Sequence, residues 1–115
     1  MHELGIANSI LEAAQSEARQ HPGALPVKVA LRIGELAGVD PDALAFSFQA
    51  LTSGTPWERV ALEIETRPRI QRCCVCGVTF RVVDYQFTCG ACGSARTECV
   101  GGDELELAYL EMEEA

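Results

Sequence analysis

The chain has 115 residues, 48% of them hydrophobic and six of them cysteine, with a net charge of −8. That length suits one modest core, and the small share of surface it buries gives the cysteines a role in holding the fold together. Seventeen acids against nine bases argue against non-specific binding to a phosphate backbone.

The start, Met1-His2-Glu3-Leu4, lacks the basic stretch and apolar run of a secretory leader. Charge interrupts every apolar run, so no membrane span is expected. The expected setting is cytoplasmic, where paired cysteines bind metal rather than one another. Residues 4–18 read as an amphipathic helix, with Leu4, Ala7, Leu11, Ala14 and Ala18 on one stripe and Ile10 beside it. His21-Pro22-Gly23 ends it. Val27–Ile33 alternates as a strand with one buried face, and 34–38 form a loop. Asp40-Pro41-Asp42 then opens a second helix, Asp40 as its cap, with Leu44, Phe48 and Leu51 along one face. Ser53-Gly54-Thr55-Pro56 stops it, and Val60, Leu62 and Ile64 alternate as a second strand.

From Arg69 to Cys99 the chain is punctuated by cysteine and glycine, and its four arginines outnumber its two acids. Leu105–Glu111 alternates again, as a third strand that needs the first two as partners. The expectation is an α+β fold, a small three-stranded sheet with two helices, interrupted by an inserted zinc-ribbon lobe. Residues 1–68 and 101–115 would form the host domain and 69–100 the ribbon.

Two C-x-x-C-G turns carry the strongest signal: Cys73 and Cys76 before Gly77, Cys89 and Cys92 before Gly93. Each turn presents two sulfurs, and two turns together make a tetrahedral four-thiolate site suited to Zn²⁺. Iron also occupies such turns, but nothing nearby points to electron transfer. A zinc ion with four protein ligands has no open position, so it stabilises and does not catalyse. Val78–Val82 and Tyr85–Thr88 read as strands leaving the first turn and returning to the second. Cys74 and Cys99 are left over, with the ordinary role of small apolar residues.

The amino terminus offers a second donor set. Met1 should be retained before a residue as large as histidine, and its amine, the His2 imidazole and the amides of His2 and Glu3 lie within a few bonds. Such closely spaced nitrogens suit square-planar Ni²⁺ or Cu²⁺. Taken alone, His2 is equally an ordinary solvated side chain, Glu3 a partner for the helix dipole and Asp40 a cap. His21 reads as exposed and idle.

Met1-His2-Glu3-Leu4, Gly34-Glu35-Leu36, Val39-Asp40-Pro41, the two C-x-x-C-G turns and the acidic last strand together resemble the HypA/HybF family of hydrogenase nickel-incorporation proteins. The likeness spans essentially the whole chain. It implies a nickel-binding domain interrupted by a zinc ribbon, with His2 as the essential nickel ligand and Glu3 and Asp40 as acidic contributors. Cys73, Cys76, Cys89 and Cys92 would hold structural zinc, and Ni²⁺ would be transient cargo. The implied partners are a nickel-handling GTPase, the hydrogenase large subunit and, in some organisms, the urease system. Cys74 and Cys99 depart from the pattern, and no histidine lies near the zinc turns. The rival reading is a zinc-ribbon adaptor for protein or nucleic-acid partners, which the ribbon's basic balance and Phe80, Tyr85 and Phe87 permit and the −8 total opposes. An enzyme is not expected, because neither histidine sits near a nucleophile or paired acid. The chain should be a monomer or a weak homodimer, since the small sheet leaves an edge exposed.

Overall fold

The computed structural model describes residues 3–114; Met1, His2 and Ala115 lie outside the described residues. The elements are α1 (Glu3–Ala18), β1 (Ala24–Gly34), α2 (Pro41–Thr52), β2 (Ala61–Arg67), β3 (Ile70–Cys73), β4 (Thr79–Arg81), β5 (Thr97–Gly101) and β6 (Leu105–Glu114). They form two three-stranded sheets, in the orders β2-β1-β6 and β4-β3-β5. The chain divides into two units. One takes the chain up to Arg32, then Gly38–Glu65 and the chain from Glu106 on; the other takes Ile33–Ala37 and Thr66–Leu105. Among the described residues no helix is long and apolar enough to cross a membrane.

In the first unit, α1 buries Ala7, Ile10, Leu11 and Ala14, the three- and four-residue spacing of one helix face. Ile10 is thus central to the stripe, whereas Leu4 is largely exposed. α2 begins as its sequence indicates: the Asp40 carboxylate accepts from the amides of Asp42 at 3.0 Å and Ala43 at 3.4 Å, with Pro41 following. This satisfies two of the donors that a helix start leaves without partners. α2 packs on α1 and buries Leu44, Phe48 and Thr52. The Thr52 hydroxyl donates to the Phe48 carbonyl at 3.0 Å, so its burial leaves no polar atom unmatched.

Val29 and Leu31 of β1 are buried, while Lys28 and Arg32 alternate with them. Lys28 reaches Glu63 of β2 at 2.7 Å and Glu111 of β6 at 3.8 Å. Arg32 reaches Glu65 at 3.3 Å and Glu106 at 3.5 Å. The pairs climb together along β1 and β2 but run in opposite senses along β1 and β6, as parallel and antiparallel neighbours do. A helix between β1 and β2 is the usual crossover for a parallel pair. The central strand thus holds a cation against acids on both flanks, which disfavours a slipped register. The Glu63 hydrogen bond holds the Lys28 ammonium above its ordinary range, and Lys28 in turn lowers Glu63.

In the second unit β3 is central and antiparallel to both neighbours, with Gln71 opposite Phe80 of β4 and Cys99 of β5. Gln71 is only 3% exposed. Its amide oxygen accepts from Arg69 Nε at 3.1 Å and its amide nitrogen donates to Thr97 Oγ1 at 3.0 Å. Thr97 in turn donates to the Phe87 carbonyl at 2.6 Å, and the Arg69 guanidinium lies 4.4 Å from the Phe87 ring centre. This interior is a satisfied polar network rather than an oily core.

The expected strand over Tyr85–Thr88 does not form. Asp84 and Tyr85 take φ values of 54° and 59°, a left-handed turn that a strand cannot contain. The third strand comes instead from Thr97–Gly101. At Gly34 an added Cβ would lie 2.0 Å from the Gly102 carbonyl oxygen. Here three stretches of the second unit converge: Gly34 N donates to Glu104 O, Glu35 N to Arg67 O and Leu36 N to Gly102 O. Only glycine permits so close a backbone crossing.

Candidate metal centres

The two cysteine turns are built alike. The Cys73 amide donates to Val78 O at 2.9 Å and Gly77 N returns to Cys73 O at 3.0 Å. In the second turn the Cys89 amide donates to Ser94 O at 2.9 Å and Gly93 N returns to Cys89 O at 2.8 Å. Gly77 and Gly93 have φ values of 80° and 77°. The glycine after each second cysteine is therefore required for a left-handed turn.

The four sulfurs of Cys73, Cys76, Cys89 and Cys92 all lie within 4.8 Å of one another. Cys73 and Cys92 are 3.5 Å apart, Cys76 and Cys89 3.6 Å. A tetrahedron of sulfurs about 2.3 Å from a central zinc has edges of about 3.8 Å, so the cluster is already close to that geometry. Cys73 and Cys89 are 1% exposed, and all six cysteines are free of disulfides. Cys74 and Cys99 stand outside the group and are exposed, not buried as small apolar residues would be. Cys99 Sγ donates to the Gly101 carbonyl at 3.2 Å.

Electrostatics divides each turn into one acidic and one reluctant thiol. The amide of Cys76, at 3.4 Å, together with that of Val75, brings the Cys73 thiol down to about 6. The amides of Cys92 and Ala91 likewise lower Cys89. At Cys92 the Ser94 amide pulls down, but the Cys73 sulfur, burial and the remaining sulfurs prevail and push it up to about 12. At Cys76 the Val78 amide lowers, and the Cys89 sulfur and burial outweigh it, so the thiol is raised. At pH 7 Cys76 and Cys92 therefore keep their protons in metal-free protein, and a divalent ion must displace both. Zinc added to metal-free protein in weak buffer should release about four protons per ion when the lobe is unfolded without metal, and at least two from any fraction that stays folded. Affinity should accordingly fall by about a hundredfold or more for each pH unit of acidification. Release of fewer than two protons would contradict this charge distribution.

The second group lies at the helix starts of the first unit. Glu3 opens α1, and its carboxylate accepts from the Asp40 amide at 3.3 Å, in front of α2. The starts of both helices, each with positive partial charge, therefore meet across one hydrogen bond. Glu3 and Asp40 are thirty-seven positions apart in sequence. Each commits one described carboxylate oxygen to backbone amides. Met1 and His2, the other expected members of this group, lie outside the described residues. His21, expected to be idle, lies 3.5 Å from Glu17 on the exposed end of α1. Asp40→Asn retains a capping oxygen, whereas Asp40→Ala removes it. The alanine variant should lose about 1 kcal/mol and the asparagine variant much less, as read by chemical denaturation. Equal losses would mean that the cap does not set α2.

Gln71 and Thr97 carried no warning in the sequence. A polar residue on a short strand in a cysteine-rich segment looks solvated until the pairing partner is known.

Two helices on a mixed sheet, interrupted by a four-cysteine ribbon, define a small α+β metal-binding protein with a zinc-ribbon-type lobe. The family model described as hydrogenase/urease nickel incorporation, metallochaperone, hypA matches residues 1–112, and the chain belongs to that family. It is 38% identical over 113 residues to the hydrogenase maturation factor HypA of Acidithiobacillus ferrooxidans, covering 98% of this chain and all of that one. It is 42% identical over 115 residues to the hydrogenase maturation factor HypA of a Roseiflexus species, covering 99% and 94% respectively. The solution structure of the Ni metallochaperone HypA from Helicobacter pylori shares the fold, with a TM-score of 0.66 and 24% identity over the full length of both chains.

Proposed function

We propose that this chain carries nickel for the maturation of hydrogenase, as an accessory protein and not as an enzyme. Ni²⁺ is the cargo, taken up by the Met1 amine, the His2 imidazole and the amides of His2 and Glu3, with the Glu3 and Asp40 carboxylates beside it. Residues 1–68 and 101–115 serve as the nickel-binding domain and 69–100 as the ribbon. Zn²⁺ is the resident ion, held by Cys73, Cys76, Cys89 and Cys92. The nickel is handed to the hydrogenase large subunit in company with a nickel-handling GTPase, in the cytoplasm, and urease is a second destination.

The observation that supports this reading most is the contact between Glu3 and Asp40, which brings two acids to the stretch that follows His2. The two helix starts repel a cation and the two carboxylates offset that repulsion. A divalent ion there is held by few protein donors at an accessible edge, so incoming ligands can replace them one at a time. The four-sulfur cluster is the opposite kind of site, with all its donors on the protein and two of them buried. Cells lacking their own family member test the role directly. The wild-type chain should restore nickel to the hydrogenase large subunit and His2→Ala should not. Restoration by both, or by neither, would overturn the reading.

A further inference from the structure

β6 is an outer strand of its sheet, and among the described residues no strand pairs with its far side. A groove of about 570 Å³ runs between that strand and the end of α1, lined by Glu17, His21, Leu107, Tyr109, Leu110 and Met112. Leu107, Leu110 and Met112 are half-buried there, so apolar surface remains open to a ligand. Glu17 lies in the lining and Glu113 is exposed farther along β6. Glu106 and Glu111 are exposed too, each also reached by a cation of β1, Arg32 and Lys28 respectively, and residues 103–115 hold six acids and no base. A free strand edge displays unpaired amides and carbonyls, and proteins protect such edges with charge. Here the protection has a single sign. A second copy of β6 would bring acids against acids, and like charges facing across a strand pair are destabilising.

We infer that the far edge of β6 and its groove dock an extended, basic segment of a partner protein as a fourth strand. The segment's backbone would pair with β6, alternate apolar side chains would enter the groove and alternate basic ones would face the acidic rim. The inference does not rest on the nickel reading, and zinc-loaded, nickel-free protein tests it.

The probe is a blocked seven-residue peptide alternating arginine and valine, followed by amide NMR and hydrogen exchange. The peptide should shift the signals of residues 107–112 and of Glu17 and His21, and protect outward-facing amides of β6. Its counterpart with glutamate for arginine should leave them unmoved. Two further versions carry N-methyl groups on alternate residues, in complementary registers, and one should bind while the other fails. Glu17→Lys reverses rim charge without touching the sheet and should weaken binding roughly fivefold. The inference is overturned if the shifts fall only on the ribbon, or if both methylated versions bind as well as the parent. It is equally overturned if residues 107–112 gain protection with rising protein concentration alone and sedimentation shows a dimer, since the edge would then belong to a second copy.

Discussion

Stripping the four-cysteine site with a strong chelator, or substituting Cys89→Ser, should unfold the β4-β3-β5 sheet. The four sulfurs are the main fixed points of that unit: Cys73, Cys89 and Gln71 are its buried side chains along β3 and the second turn. About forty residues with a polar interior cannot hold themselves together by apolar burial alone. Structural zinc contributes an apparent 10–16 kcal/mol or so to such lobes, and a hydroxyl is a far poorer ligand for it than a thiolate. Amides of Ile70–Cys73 should therefore lose their exchange protection, while those of α1 and α2 retain theirs. A β3 that stays protected without metal would show that the polar network suffices.

Leu44→Ala should have the complementary effect. Leu44 of α2 is 0% exposed, and truncating a buried leucine costs about 3 kcal/mol through lost transfer energy and the cavity left behind. In a unit of this size that lowers the melting temperature by on the order of 15 °C. Zinc content should stay at one per chain. A variant with unchanged melting, or one that loses zinc, would contradict the division of stability between apolar packing and metal.

The readable parts of this sequence are those set by local rules. α1 declared itself by Ala7, Leu11 and Ala14, β1 by its alternation, and α2 by Asp40 and Pro41. The cysteine spacing identified the four sulfurs that the structure gathers. The hidden parts are those set by distant partners. β5 contains Glu98, an outward Cys99 and Gly101 and shows no clean period; it is a strand because β3 pairs with it. Tyr85–Thr88 had the aromatic content of a strand, but the chain reverses at Asp84 and Tyr85 and leaves Tyr85 89% exposed. The need for glycine at 34 arises from Gly102, and no pattern in either neighbourhood announces it. The same is true of Glu3 and Asp40, each fully explained as a helix-start residue until a hydrogen bond joins them.

The central claim is that the imidazole at position 2 is what holds nickel. Nickel titration of the untagged protein beside His2→Ala, with zinc counted in both, tests it most directly. The wild-type chain should take up one Ni²⁺ at neutral pH over its one zinc, and the variant should keep the zinc and bind no nickel. No uptake by the native chain, or equal uptake by the variant, would contradict the account.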